Sequence, residues 1–190
     1  MATPSKPSSR ERLLDAAARL SYRDGVSIGI EALCREAGVS KRSMYQLFES
    51  KDEMLAASLR RRIPEYGARL RHPDPEAATP RERILYVFAQ LEKGSTEPGY
   101  HGCPFLATLV ELKDPAHPAS KVAREVKDGL VETLRAEAER GGAHDPGLLA
   151  RQLLLVFDGA AARAGSGVEH LSDGLATATA TALLDAAGVA

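Results

Sequence analysis

Long apolar runs are missing from this chain of 190 residues. None approaches the roughly 20 consecutive apolar residues that a membrane-spanning helix needs. The first dozen residues, Met1 to Arg12, are polar where a secretory signal carries an apolar core, so a cytoplasmic protein is expected. Cysteine is scarce. Cys34 and Cys103 are the only two, too few for a disulfide framework and too far apart for a zinc site. His101 stands near Cys103, but no second cluster of Cys, His and carboxylates accompanies it, and neither metal nor cofactor is expected. Catalytic signatures are scarce too: there is no His-Glu-x-x-His. Gly165-Ser166-Gly167 lacks the strand and the lysine of a phosphate-binding loop. An enzyme is not expected. The period-two alternation of strands is hardly seen.

What is present is the balance of a soluble globular protein, 44% hydrophobic and 27% charged, which excludes a disordered tail. The net charge of -1 hides an asymmetry: residues 1–70 hold 13 of the 25 Lys and Arg but only 9 of the 26 Asp and Glu. That segment is modestly basic, as a nucleic-acid-binding module needs, although a solvated surface would look the same. Pro and Gly cluster at Pro4 to Pro7, Asp24-Gly25, Gly38, His72 to Pro75, Pro98-Gly99, Gly141-Gly142 and Gly165 to Gly167. Between them run helical stripes: Leu55, Leu59, Ile63, Tyr66 and Leu70; Ile84, Val87, Phe88 and Leu91; Val122, Val126, Leu130 and Leu134. An all-α chain follows, with a long helix from about Lys51 and a boundary at His72 to Pro80.

The N-terminal segment can be read residue by residue. Ser8 or Ser9 caps a first helix that ends at Arg23-Asp24-Gly25, and Ser27 caps a short second helix over about Ile30 to Ala37. Gly38 supplies a left-handed residue, Val39 tucks inward, and Ser40 caps a third helix over Lys41 to Phe48, with Met44 and Leu47 facing the core. This is a helix-turn-helix that presents Lys41, Arg42 and Ser43 to the base edges of a major groove.

The run Ala37-Gly-Val-Ser-Lys-Arg-Ser-Met-Tyr45-Gln-Leu-Phe48-Glu-Ser-Lys51-Asp-Glu-Met-Leu55 resembles the DNA-binding domain of the tetracycline-repressor (TetR) family of bacterial regulators. The likeness covers residues 9 to about 56 and departs only slightly, with Leu33-Cys34 where Ile-Ala is usual and Gln46 where His is common. It implies a three-helix DNA-binding domain over residues 1–56, joined by a long helix to a helical effector-binding and dimerisation domain over 57–190. It also implies that Tyr45 and Lys51 hold phosphates, helped by Ser27 and Arg35. Arg42, Ser43 and Gln46, beside Ser40 and Lys41, become the candidates for reading bases, Arg forking onto guanine and Gln onto adenine. Tyr45 as core and Lys51 as an ordinary surface lysine are the competing readings.

The resemblance further implies a dimeric regulator, a repressor released from a palindromic operator by a small-molecule effector. The candidate pocket residues are Tyr86, Phe88, His101, Cys103, Phe105, Leu109, Glu111 and Phe157. Each is more often plain core. Cys103, just before Pro104 at a helix start, is also a candidate reactive thiol, and a redox- or electrophile-sensing regulator is the alternative function. A helical ligand-binding protein with an idle DNA-binding motif is another. Pro146 to Ala164 carries two apolar stripes, one through Leu149, Leu153 and Phe157, the other through Leu148, Leu155 and Ala162. With the Ala- and Thr-rich Val168 to Ala187, it reads as a homodimer seam or as a pair of central core helices.

Overall fold

The computed structural model describes residues 7–190; Met1 to Lys6, including Pro4 of the first Pro cluster, lie outside it. The described residues form helices joined by turns, with no strand among them. In chain order they are α1 (Ser9–Asp24), α2 (Ile30–Ala37), α3 (Lys41–Leu47), α4 (Lys51–Leu70), α5 (Pro80–Ser95), α6 (Pro104–Leu112), α7 (Pro118–Arg140), α8 (Pro146–Gly165) and α9 (Leu175–Ala187). None is long and apolar enough to cross a membrane.

Most helix starts are written in single side chains. Ser8 caps α1 by accepting from the Glu11 N–H, while Glu11 reaches back to the Ser8 N–H at 2.7 Å, closing a reciprocal box; Thr79 and Glu82 repeat it at α5. Ser40 accepts from the Ser43 N–H at 3.1 Å to start α3, and Asp145 accepts from Leu148 N–H to start α8. The expectation for α2 needs correction. Gly29, not Ser27, is its N-cap, and no side chain caps it; Ser27 lies exposed in the turn before. The chain after Gly165 also stays irregular for longer than its composition suggests, and α9 begins only at Leu175.

The chain divides into two compact units. The N-terminal unit holds residues up to Arg62 and takes in 107–124; the other holds 63–106 and 125–190. The division within α4 falls next to Pro64, which has no N–H to give the helix.

In the N-terminal unit α1 packs on α2 and α3. Its core is Leu13, Leu14, Ala17, Leu33, Met44, Met54 and Leu55, all 5% exposed or less. In the second unit α5, α8 and α9 pack on one another around Ile84, Phe88, Leu149, Leu153, Phe157 and Leu184, each buried. The Phe88 and Phe157 rings meet edge to face at 6.2 Å. Lys127 on α7 is buried and pairs with Asp158 on α8, its ammonium also 5.2 Å over the Phe157 ring. A buried cation of this kind requires its partner, because desolvation would otherwise dominate.

Candidate DNA-reading helix and effector cavity

The turn between α2 and α3 follows from one glycine. Gly38 adopts φ 60° and ψ 39°, and the Val39 N–H bonds back to the Cys34 carbonyl at 3.0 Å, so the chain reverses within three residues. Val39 is 9% exposed and Met44 is fully buried, which fixes the inward face of α3. Leu47, expected to face the core, is instead 40% exposed, because α3 ends there and Phe48 takes the inward position.

The outward face of α3 is polar and open. Arg42 and Gln46 are exposed and their side chains have no hydrogen bond or ion pair among the described residues, and Tyr45 is 53% exposed. That exposure rules out a core role for Tyr45 in this unit. Ser43 and Ser40 share a hydroxyl contact at 2.9 Å. Lys41 is occupied: its Nζ lies 2.9 Å from Glu31 on α2, which holds the lysine charged above its usual range. Arg35 on α2 is exposed. Cys34 packs as a small hydrophobe, and burial pushes its thiol up, away from reactivity.

Lys51 performs a task that its place in the sequence does not announce. Its Nζ donates to the carbonyls of Val26 at 3.2 Å and Ile28 at 3.0 Å, drawing the α1–α2 turn onto the start of α4. An ammonium carries three N–H donors, and these two carbonyls take two of them. The same turn is gripped from the opposite group: the Glu111 carboxylate accepts from the Val26 N–H at 2.7 Å. Gly25 makes the approach possible, since at φ 89° a Cβ would stand only 2.6 Å from Glu111 Oε2. Glu111 therefore anchors this turn. Replacing it by Ala should cost about 1 kcal/mol through the unsatisfied Val26 N–H and speed exchange of that amide, as read by hydrogen exchange.

In the second unit a cavity of about 630 Å³ opens among α4, α5 and α7. This lies within the usual size of small-molecule sites, roughly 300–1,000 Å³. Its walls are mainly apolar, with Ile63, Leu70, Ile84, Val87, Val126 and Leu134 prominent, and Tyr66 also lines it. Arg83 and Glu137 form a polar cap: Arg83 donates to the Glu137 carboxylate at 2.8 Å and to the Pro75 carbonyl at 2.8 Å, and Arg140 adds a second guanidinium to Glu137. Burial pushes the Glu137 carboxyl up, but the hydrogen bonds of Arg140 and Arg83 outweigh it and hold it below the usual range.

None of the eight residues singled out from the sequence as pocket candidates lines this cavity. Phe88, Phe105 and Phe157 are fully or almost fully buried. Tyr86 meets His72 edge to face at 5.0 Å, His101 is exposed, and Leu109 is half-buried. Cys103 is 6% exposed, just before the first residue of α6 as expected, with its Sγ 3.5 Å from the Tyr66 hydroxyl. Burial, with the neighbouring Cys103 second, pushes the Tyr66 phenol far up. The sequence stripe that marked Ile63, Tyr66 and Leu70 as a helix face pointed at the cavity without saying that the face would meet empty space.

Residues 13–58 match the family model of bacterial regulatory proteins of the tetR family. Among curated proteins, the transcriptional regulator BetI of Brucella canis is 33% identical over 85 residues, 44% of this chain and 43% of that relative, so the chain covers under half the length of the curated relatives it matches. A TetR-type transcriptional regulator of Streptomyces avermitilis, known from a crystal structure, is 60% identical, with a TM-score of 0.93 over 97% of this chain and 100% of the other. A TetR-family regulator of Streptomyces coelicolor is 25% identical, with a TM-score of 0.86 over 95% and 96%. With a helix-turn-helix whose outward face is open and likeness along nearly its whole length, the chain belongs to the TetR family of transcriptional regulators.

Proposed function

We propose that this protein is a ligand-responsive regulator, a repressor that binds a palindromic operator as a homodimer in the cytoplasm and is released by a small-molecule effector. The carrying observation is the outward face of α3, where Arg42, Tyr45 and Gln46 stand exposed over a buried Met44. Residues 1–56 form the DNA-reading head, with Arg42, Ser43 and Gln46 toward bases. Tyr45, Lys51, Ser27 and Arg35 lie toward phosphates, and Ser40 and Lys41 at the helix start. Residues 57–190 supply effector and dimer contacts, the effector occupying the cavity among α4, α5 and α7. No catalytic role is assigned.

The second copy meets α8 and α9. Leu148 is 43% exposed, Leu155 74% and Leu175 45%, and Gly159 and Ala162 continue the α8 stripe at helical spacing, leaving a flat apolar strip with room for close approach.

Binding to DNA from the gene's own upstream region, followed by fluorescence anisotropy across a salt series, tests this reading. The wild type should bind one fragment well above random DNA, with affinity falling steeply as salt rises. Arg42→Ala should lose about 10- to 100-fold on that fragment and little on random DNA. Lys51→Ala should lose affinity for both and flatten the salt slope by about one unit. Equal binding of all fragments at physiological salt would overturn the proposal.

A further inference from the structure

The cavity among α4, α5 and α7 contains charged groups of two kinds. Arg83 and Glu137 are already committed: Arg83 to Glu137 and the Pro75 and Ala78 carbonyls, and Glu137 to both Arg83 and Arg140. With two guanidiniums on one carboxylate, this cap has no negative charge to spare. Arg71 and Glu125 also line the cavity, both exposed, and their side chains make no hydrogen bond or ion pair among the described residues. Arg71 is the better placed of the two. It and His72 also line a neighbouring hollow of about 500 Å³, which shares Ile63 and Gly67 with the first. Arg71 thus stands where two hollows adjoin, whereas Glu125 lines only one.

We infer that the effector is an amphiphilic carboxylate, its apolar body between Ile84, Val87 and Val126 and its carboxylate on the Arg71 guanidinium. The inference rests on the cavity being the effector site, as proposed above. Most of the wall is apolar, so the body of the ligand enters by burial of hydrocarbon. Its charge is then held where the wall is open, at the exposed Arg71, rather than among the buried apolar side chains, where an unpaired ion would be costly. The planar fork of an arginine matches both oxygens of a carboxylate. A cationic amphiphile would meet Arg71 and a cap already rich in guanidinium, with Glu125 alone to receive it.

The test uses the full chain and calorimetry with two sets of probes: decanoate, 1-decanol and decylammonium, and 2-naphthoate, 2-naphthol and 2-naphthylmethylammonium. Carboxylates should bind about tenfold or more tighter than their neutral and cationic counterparts, in line with a charged hydrogen bond. Arg71→Gln should bring the carboxylates level with the neutral probes while leaving the latter unchanged. Val126→Trp, which fills the cavity, should abolish binding of all. If probes bind and Val126→Trp blocks them but the carboxylate has no advantage, or keeps it in Arg71→Gln, the carboxylate assignment is overturned and the cavity reading stands. If no probe binds, or Val126→Trp leaves binding intact, the cavity is not the effector site and both fall.

Discussion

If the proposed dimer forms through α8 and α9, replacing Leu155 by Arg should yield a monomer and remove operator binding while leaving the fold intact. At 74% exposed, Leu155 is near the middle of the open stripe on α8, and its side chain contributes little to the core of its own copy. A surface change of this kind typically alters stability by no more than about 0.5 kcal/mol. In the dimer, the same position would place two like charges in an apolar seam against each other, with no partner for either. A palindromic operator is read by two linked heads, and the second head typically contributes about 10²- to 10⁴-fold through its effective concentration. Sedimentation velocity and operator anisotropy on the same sample should therefore show the monomer and a loss of that order. A Leu155→Arg variant that remains a dimer at micromolar concentration removes α8 from the seam.

Gly165→Ala should be among the most destabilising single changes in the second unit, even though the glycine sits at a helix end where Ala normally favours the helix. A Cβ there would stand 2.5 Å from the Gly102 nitrogen and 2.5 Å from the His101 carbonyl carbon, both of them backbone atoms that no rotamer change can move. Gly102 completes the crossing from the other side, at φ 91° and with its own missing Cβ 2.9 Å from the Ala161 carbonyl oxygen. The last turn of α8 and the segment before α6 thus touch backbone to backbone. Overpacking generally costs 1–3 kcal/mol and more where the neighbour cannot yield, so a loss of about 3 kcal/mol is expected in urea unfolding. Because Cys103 follows directly, alkylation of its buried thiol should accelerate in the variant. Unchanged stability would mean that the two backbones separate at no cost.

The N-terminal helices are legible in the sequence because each boundary depends on one or two residues of distinctive chemistry. Ser8 with Glu11, Gly38 and Ser40 act on backbone groups within four positions, so the chain carries the signal locally. Ser27 was misleading for the same reason. A serine near a helix start suggests a cap, but the N-cap stands two residues later, at Gly29, which makes no side-chain cap bond. The second stripe on α8 was equally readable, since too much apolar surface on one helix leaves some of it uncovered. The cavity was not. Its walls come from α4, α5 and α7, and apolar periodicity tells which side chains face inward but not which of them fail to meet. Phe88, Phe105 and Phe157 drew attention by size, and size is what lets them fill the core. Glu111 and Lys51 were picked out as functional residues, yet their observed partners lie 85 and at most 25 positions away, in a turn no local pattern connects to them.

The inclusion of 107–124 in the N-terminal unit has a consequence for synthesis. A ribosome delivers the helix-turn-helix early, but the carboxylate that secures the Val26 N–H arrives 85 residues later. The nascent chain must therefore hold its first three helices together through local packing while α5 and most of α6 are still being made. Expression of residues 1–62 alone should likewise give a head whose α1–α2 turn lacks one of its two anchors.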